Sequence, residues 1–278
     1  MKTNVGAINF LNCLPLSNYI DKIGYNDDIS FFKNVPSQLA ANLLNGSLDI
    51  SPVSSIFYAT NSDKYLVIPN VCVSANGNVK SIILVSKKPI SELNNKLISL
   101  SKMSLTSHCL LKIILKKLYK VTPTYEIRDV DVSNPFIGGE SAVLLIGDDA
   151  LFSFYNRDDR YFYYDLGRLW KELTGMCMTY AVWVVNKEFY DTRVADFVKA
   201  YVHIYRGLHA NNSYIENLIR DISKTSFFSY AELKDYLGII NWHFGIEQIN
   251  ALKKFYSLAH EIGLIMPVKR INFANISE

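Results

Sequence analysis

Apolar residues follow two alternating patterns along the first two thirds of the chain. Short apolar runs typical of buried strands occupy 4–10, 81–86 and 142–147. Residues 36–45 and 110–118 instead carry apolar side chains every three or four positions, as amphipathic helices do. Short strands that alternate with helices are typical of a mainly parallel sheet with helices on both faces. The pattern therefore predicts an α/β fold.

The last third of the chain has a different pattern. Helical spacing extends over 189–208, 212–225, 230–238 and 246–263. We therefore expect these helices to cover a sheet formed earlier in the chain, and we do not expect a further sheet.

Two long apolar strands, 81–86 and 180–185, flank a second α/β unit. We expect both strands to cross between two lobes. Residues 1–86 and 184–278 would then form a first α/β lobe with the C-terminal helices, and residues 87–183 would form a second α/β lobe inserted into it. Lobes joined twice in this way close on a ligand in periplasmic binding proteins. The pattern therefore predicts a ligand cleft between the lobes.

Three hydroxyl side chains, Ser104, Thr106 and Ser107, precede the amphipathic stretch that starts at Leu110. The first turn of a helix has unpaired backbone N–H groups and the positive end of the helix dipole. Either one hydroxyl caps the helix and the others are solvated, or the group binds a carboxylate or phosphate. In the second case we expect this helix start to face the first lobe across the cleft.

Other polar residues follow predicted strands. Asn12 follows the first strand, Ser54 and Ser55 follow a later one, and Gly147 and Asp148 follow the strand that ends near 146. Ligands of open α/β sheets bind at the carboxyl ends of strands. Each of these residues also has a local interpretation, as a turn residue for Asn12 and as helix caps for the serines and the aspartate.

Composition narrows the class of partner. The 278 residues are 49% apolar and 20% charged, which is typical of an ordered globular chain long enough for two domains. The net charge of +3 is small and the basic residues are scattered, so we expect no nucleic-acid partner, whereas a small anionic ligand fits. No apolar run reaches the length of a membrane span, so we expect no membrane partner.

The cysteines and the amino-terminal residues give two further expectations. Cys13, Cys72, Cys109 and Cys177 are widely spaced and form no CxxC pair, so we predict reduced cysteines and no metal site. The first 16 residues contain one lysine and an apolar run that three asparagines interrupt, unlike a secretion signal. We therefore expect a cytoplasmic protein.

A more specific signal comes from linked segments, which are GAINFLNCLPL at 6–16, PSQLAANLLNGSLDISPVSSIFYA at 36–59, GNVKSIILVSKKPI at 77–90, SLTSHCLLKIIL at 104–115, AVLLIGDDAL at 142–151, YDLGRLWKELTG at 164–175 and the later run YLGIINWHFGIEQINALKKFY. Together, and in this order, they resemble the chorismate dehydratase family, which opens the futalosine route to menaquinone. The resemblance covers most of the chain.

The resemblance implies a two-lobed α/β fold like that of type II periplasmic binding proteins, with the ligand cleft between the lobes. It also implies a hydro-lyase that removes water from chorismate to give 3-[(1-carboxyvinyl)oxy]benzoate, with no cofactor and no metal. By matching motif, Asn12 would be catalytic. The other matching positions would bind the substrate, and they are Ser54, Ser55, Ser81, Ser86, Ser104, Thr106, Ser107, Gly147 and Asp148.

The implied elimination forms an aromatic ring and is strongly downhill, so positioning and hydrogen bonding can supply much of the catalysis. We expect Ser104, Thr106 and Ser107 to hold one substrate carboxylate, and Asn12 to orient the reacting centre or the leaving hydroxyl. The proton acceptor is open between the substrate's own carboxylate and an acidic residue such as Asp148.

The chain departs from the family pattern in one loop. Met176, Cys177 and Met178 follow Thr174 and Gly175, where the family usually has a Leu-Pro-Phe-like run. We expect this loop to line the cleft, where methionine is an adaptable filler.

Two other functions stay open from the sequence. A 1,4-dihydroxy-6-naphthoate synthase of the same pathway shares the fold and would need a histidine base, for which His108 is the candidate. A histidine in a first helical turn is, however, more often a packing or surface residue. The second alternative is a non-catalytic solute-binding protein for a small anion, which would usually carry an export signal. The sequence does not indicate the oligomeric state.

Overall fold

The computed structural model describes residues 2–23, 28–102, 104–210 and 212–276, and the strands among them form two sheets. The strands are β1 (Thr3–Ile8), β2 (Ile29–Asn34), β3 (Ile50–Ser54), β4 (Tyr65–Ala75), β5 (Ile82–Ser86), β6 (Leu97–Ser101), β7 (Thr124–Arg128), β8 (Ala142–Ile146), β9 (Phe162–Asp165), β10 (Met178–Asn186) and β11 (Ile240–Asn241). The helices are α1 (Leu14–Ile23), α2 (Pro36–Leu44), α3 (Ser55–Thr60), α4 (Leu105–Ile114), α5 (Asp148–Tyr155), α6 (Leu166–Thr174), α7 (Lys187–Thr192), α8 (Val194–Leu208), α9 (Asn212–Ile222), α10 (Tyr230–Leu237) and α11 (Ile246–Glu261).

The first sheet has the strand order β11-β4-β10-β3-β1-β2. β1 pairs in parallel with β2 and β3, whereas β10 runs antiparallel between β3 and β4. We call this sheet and the helices α1–α3 and α7–α11 the first lobe. The C-terminal helices thus belong to the lobe whose sheet begins earlier in the chain. The short β11 extends the edge of this sheet by pairing with β4.

The second sheet has the order β7-β6-β8-β5-β9. β6 pairs in parallel with β7 and β8, while β5 runs antiparallel to β8 and β9. We call this sheet and the helices α4–α6 the second lobe. Because β6 and β8 are parallel, their carboxyl ends lie at one edge, from which the chain enters α4 and α5.

The chain passes between the sheets at residues other than those predicted. β5 pairs along its length with β8 and β9, and β10 pairs with β3 and β4, so neither strand crosses between lobes. The first crossing segment is 76–81 and the second is 175–177. The lobe boundaries predicted at 86 and 183 are therefore wrong. An unbroken apolar run indicates that a strand has neighbours on both sides, and it does not indicate that the strand crosses between lobes.

Helices cover both faces of the first sheet. One face packs against α1, α7 and α8, in a core that includes Trp183 and Phe197. On the other face, a single apolar cluster continues from the first lobe into the second and includes Leu110, Trp170 and Phe255. We call the part of this cluster formed by α3, α4, α6 and α11 the packed side. No helix within the described ranges is both long and apolar enough to span a membrane.

The first crossing segment is held by Asp165 at the end of β9. The Asp165 carboxylate accepts hydrogen bonds from the backbone N–H groups of Val79 at 3.0 Å and Lys80 at 2.7 Å, and it also caps α6. Gly167 in the first turn of α6 lies so close to this segment that an added Cβ would collide with the carbonyl oxygen of Gly77. The start of α6 and the crossing segment are therefore closely packed.

Candidate active site

A cavity lined by residues of both lobes, with an accessible volume of about 80 Å³, lies between the two sheets and is open to solvent at its mouth. None of the described residues that line the cavity carries a formal charge. Six of the ten predicted site residues line it, namely Asn12, Ser54, Ser81, Ser104, Ser107 and Gly147.

The start of α4 brings two of its three hydroxyls to the cavity. Ser104 is the helix cap, because its Oγ accepts a hydrogen bond from the N–H of Ser107 at 3.3 Å. The Ser107 hydroxyl donates to the Ser104 Oγ at 3.1 Å. Residues three apart share one face of a helix. Together with the positive end of the helix dipole, this pair favours an anionic group in the cavity.

Thr106 lies in the same turn but faces the first lobe. Its Oγ1 accepts a hydrogen bond from the backbone N–H of Ile56 in α3 at 3.0 Å. Ser55 also points away from the cavity, because its Oγ donates to the carbonyl oxygen of Thr179 at 2.7 Å, whereas Ser54 beside it lines the cavity. The predicted ligand contacts of Thr106 and Ser55 are therefore wrong for this structure, since both hydroxyls are buried against backbone groups.

Asn12 lies in a short 3-10 turn between β1 and α1 and is held from two directions. The indole N–H of Trp242 donates to the Asn12 carbonyl oxygen at 2.9 Å, and the N–H of Leu11 donates to Oδ1 of Asp148 at 3.4 Å. The side-chain oxygen of Asn12 is buried, and no donor among the described residues reaches it. Because a buried acceptor without a partner costs free energy, this oxygen is a ready acceptor for a ligand hydroxyl.

Ser81 and Gly147 join the first crossing segment to the second sheet. The N–H of Gly147 donates to the carbonyl oxygen of Ser81 at 2.8 Å. Gly147 has φ 71°, a conformation that glycine adopts without the penalty of a Cβ, and it forms the turn from β8 into α5. The tight turn brings the Gly147 backbone to the cavity wall beside Ser81.

Ser86 lies at the far end of β5 from Ser81. Its Oγ donates to the carbonyl oxygen of Lys88 at 2.7 Å, and its side chain is fully buried. A strand rises about 3.3 Å per residue, so the two serines are about 16 Å apart. The predicted substrate contact of Ser86 is therefore wrong, because one end of this strand reaches the cavity and the other does not.

Asp148 begins α5 near the cavity and has a perturbed pKa. Burial raises the pKa of this carboxyl to about 6, the hydrogen bond from the N–H of Leu11 opposes the shift, and the charge of Asp149 adds to it. Asp148 is not among the residues that line the cavity. Its contact with Leu11 nevertheless ties the second lobe to the residue before Asn12.

Two buried tyrosines at the site were not singled out from the sequence. Tyr180 lines the cavity and is the extra residue of a β-bulge in β10, a feature that redirects side chains near ligand sites. Tyr236 of α10 interacts through its hydroxyl with the side chains of Ser81 and Asn12. Burial raises the pKa of both tyrosines, so both stay protonated at neutral pH. The bulge becomes visible only in the strand register, which explains why the sequence pattern missed Tyr180.

His108 does not line the cavity. Its ring nitrogen Nε2 lies 2.7 Å from the carbonyl oxygen of Ser101, to which it donates. Burial lowers the pKa of this histidine, so the neutral form is favoured. His108 is therefore a packing residue, and no histidine among the described residues lines this cavity.

The loop that departs from the family pattern also lies outside the cavity. The indole N–H of Trp170 donates to the carbonyl oxygen of Cys177 at 2.8 Å, and the side chains of Cys177 and Met178 are buried. The expectation that this loop lines the cleft is therefore wrong, because Trp170 holds it against α6. Within the described ranges, no group of three or more His, Cys, Asp or Glu residues could hold a metal ion.

Residues 3–261 match the profile of a protein family described as "Menaquinone biosynthesis". The match spans every strand of both sheets and all the residues that line the cavity. The chain belongs to the menaquinone biosynthesis family.

Two proteins similar to this member of the menaquinone biosynthesis family are chorismate dehydratases. The one from Thermus thermophilus is 28% identical over 198 residues, which cover 66% of this chain and 70% of the relative. The one from Campylobacter jejuni is 27% identical over 266 residues, which cover 93% of this chain and 98% of the relative. The second alignment therefore extends over both lobes.

Solved structures show the fold of this menaquinone biosynthesis family member. A protein from Archaeoglobus fulgidus is similar with a TM-score of 0.73 at 17% identity, over 95% of this chain and 98% of that one. The alkanesulfonate-binding protein SsuA from Xanthomonas axonopodis pv. citri, bound to MOPS, gives 0.67 at 15% identity, over 95% and 94%. A Candida albicans protein with the generic periplasmic binding protein fold gives 0.67 at 15%, over 99% and 98%. The predicted two-lobed α/β fold is therefore confirmed.

Proposed function

We propose that this member of the menaquinone biosynthesis family is a chorismate dehydratase, which removes water from chorismate to give 3-[(1-carboxyvinyl)oxy]benzoate. Support comes from the family match and from two relatives with that activity in their names, one of them aligned over 93% of the chain. We also propose that the protein acts in the cytoplasm, which cell fractionation would test.

The observation that carries the proposal is the unpartnered side-chain oxygen of Asn12, in a residue that lines the same cavity as Ser104 and Ser107. Chorismate has two carboxylates, which accept hydrogen bonds, and one hydroxyl group, which donates. The Asn12 oxygen would accept from the hydroxyl, and the same carboxamide can donate to that oxygen as the C–O bond breaks.

The two carboxylates would be bound by neutral donors. Ser104 and Ser107, together with the N-terminus of α4, would hold one carboxylate, and Ser54, Ser81 and the Gly147 backbone are available to the rest of the substrate. Hydrogen-bond donors fixed in this way are directional. They would hold the ring in the orientation from which water is lost.

The elimination breaks a ring C–H bond and the neighbouring C–O bond. The electron pair of the C–H bond forms the C=C bond that completes the aromatic ring, and the proton and the hydroxyl group leave as water. We favour the substrate's own carboxylate as proton acceptor, because Asp148 lies outside the cavity lining and its Oδ1 already accepts a hydrogen bond from Leu11.

The two alternatives have less support. A naphthoate synthase with a histidine base does not fit the position of His108, whose ring is bound to the Ser101 carbonyl oxygen. A solute-binding protein shares the fold, but the likeness to SsuA at 15% identity concerns the fold alone.

The test is incubation of purified, chelator-treated protein with chorismate, with loss of chorismate and formation of the aromatic enol ether followed by chromatography. We expect turnover by the intact protein. Asn12→Ala should lower kcat by about 100- to 1000-fold, since it removes a hydrogen-bonding group at the reacting centre, while chorismate still binds.

Asn9→Ala is the matched control, because Asn9 is an exposed asparagine just before the same turn. It should keep the activity of the intact protein. Binding of chorismate without turnover by the intact protein would instead favour the solute-binding alternative, and absence of binding would reject chorismate as the ligand.

A further inference from the structure

Lys80 in the first crossing segment has an unusual backbone and an unusual environment. It adopts φ 61°, a conformation that is strained for a residue with a side chain, and it is 7% exposed. Its backbone N–H donates to Asp165 at 2.7 Å, and the next residue, Ser81, lines the cavity. The backbone at Lys80 thus connects an anchor in the second lobe directly to the cavity.

The side chain of Lys80 contacts residues of both lobes. Its Nζ is paired with Oδ2 of Asp235 in α10, which leads into β11 of the first sheet. The hydroxyl of Tyr155 in α5 donates to the same oxygen at 2.7 Å, and Nζ lies 5.6 Å from the centroid of the Tyr155 ring. We call Lys80, Tyr155 and Asp235 the Lys80 cluster.

The Lys80 cluster is next to the groups assigned to the chemistry. Tyr236 follows Asp235 in α10, and its hydroxyl interacts with the side chains of Asn12 and Ser81. The helix α10 therefore presents one residue to the Lys80 cluster and the next residue to Asn12. A displacement of α10 from α5 would move both contacts together.

We propose that Lys80 is a positioning residue, which holds α10 of the first lobe against α5 of the second and thereby keeps the cleft closed with Ser81 and Asn12 in place. The side chain of Lys80 is 9% exposed and that of Asp235 is 52% exposed, so solvent screens this ion pair only from the Asp235 side. Loss of the pair would leave a smaller fraction of the protein closed, and apparent ligand affinity falls in proportion to that fraction.

A second interlobe ion pair provides the matched control. Lys117, in the turn after α4, pairs with Glu261 at the end of α11, and this pair lies next to the packed side, away from the cavity lining. Lys117→Met therefore breaks a contact between the lobes without touching the Lys80 cluster.

The first measurement is hydrogen–deuterium exchange of the whole protein without substrate. Lys80→Met should increase exchange in peptides that cover 79–82 and 230–238, and Lys117→Met should leave these peptides unchanged. Asp235→Asn, which removes the charge but leaves an oxygen that can accept from Tyr155, should give a smaller increase in the same peptides. Tyr155→Phe removes the hydrogen bonds from its hydroxyl to Asp235 and to the carbonyl oxygen of Glu232, so it should also increase exchange there. Unchanged exchange in Lys80→Met, or an equal increase in Lys117→Met, would overturn the proposal.

The second measurement is kinetic and rests on the proposed function. Lys80→Met should raise KM for chorismate about 10-fold with kcat nearly unchanged, because the closed complex reacts as before once formed. Lys80→Arg should restore KM to within about 3-fold of the original, since it keeps the charge. The double variant that combines Lys80→Met with Asp235→Asn should have nearly the same KM as Lys80→Met alone, because both substitutions remove the same ion pair.

A fall in kcat without a change in KM would contradict the positioning role of Lys80. So would a KM in the double variant that rises by the product of the two single-variant increases. If the intact protein does not turn over chorismate, the proposed function fails, but the exchange measurement still decides the role of Lys80.

Discussion

Neighbouring residues at the start of α4 serve two different parts of the junction between the lobes. Ser104 and Ser107 face the cavity, where polar groups such as the Asn12 side-chain oxygen have incomplete hydrogen bonding. Thr106, between them, faces the packed side and completes a hydrogen bond with Ile56 of α3. Ligand binding and cohesion of the lobes thus depend on different side chains within a single helical turn.

Aromatic packing adds to the cohesion of the packed side. There the rings of Trp170 and Phe255 meet edge to face, with centroids 5.8 Å apart, in a core that both lobes share. A wide separation of the lobes would expose this core to water, which is unfavourable. We therefore expect the lobes to open at the cleft while the packed side stays closed.

The largest effect is expected from the packed side. Phe255→Ala should lower the free energy of unfolding by about 3–5 kcal/mol, because it removes a fully buried ring and leaves a cavity. Phe227, which is 96% exposed, is the matched control, and Phe227→Ala should change the unfolding free energy by less than about 0.5 kcal/mol. Urea unfolding measures both, and a similar loss in the two variants would remove the distinction between packed side and surface.

A paired substitution in α4 tests the comparison most directly. Thr106→Val should cost about 1–3 kcal/mol of stability, because it leaves the Ile56 N–H buried without its acceptor, while KM for chorismate stays unchanged. Ser107→Ala should raise KM about 10-fold with a stability change below about 1 kcal/mol. Thermal unfolding and steady-state kinetics on both variants check this. If Thr106→Val raised KM and Ser107→Ala lowered stability, the two faces of α4 would be assigned wrongly.

The smallest effect is expected from Asp148→Asn and depends on pH. Burial raises the folded-state pKa of Asp148 from 3.8 to about 6, so folding disfavours its charged form. The contribution of this carboxyl to stability is therefore present below about pH 4 and lost as pH rises through about 6. Asp148→Asn should be about 1–2 kcal/mol more stable than the original protein at pH 8, after allowance for solvent screening, and about equal near pH 4. Urea unfolding at three pH values measures the difference.

The same variant separates the two candidates for proton acceptor. If the substrate's carboxylate accepts the proton, the Asp148→Asn protein should keep kcat within about 10-fold and retain the shape of its pH profile. Loss of an acid limb near pH 6, together with a large fall in kcat, would assign the proton to Asp148.

The sequence pattern predicted the alternation of strands and helices because side-chain periodicity is a local property. The motifs also indicated that Asn12, Ser54, Ser104 and Ser107 belong to one cleft, and the structure brings these residues together. The pattern could not tell Ser107 from Thr106, because the face of a helix that meets a ligand is decided by its tertiary neighbours.

Contacts between residues far apart in the chain account for the other differences between the sequence-based predictions and the structure. Asp165 binds residues of the first crossing segment more than 80 positions earlier in the chain, and Lys80 meets Asp235 from 155 positions away. Neither contact has a sequence signature, although an aspartate directly before a helix indicates a cap, which Asp165 is. The chain crosses at 76–81 and not within β5, because strand pairing, and not apolar character, decides which lobe a strand joins.

The position of β10 has a consequence for how the protein is made. All strands of the second sheet come from one continuous stretch, 82–165, whereas β10, which ends at 186, lies between β3 and β4 of the first sheet. The ribosome therefore releases the complete second sheet before the strand that joins the two parts of the first. Because domains generally fold as units during synthesis, the inserted lobe can assemble while the host lobe still has a gap at its centre. The chain order thus allows the second lobe to fold before β10 completes the first.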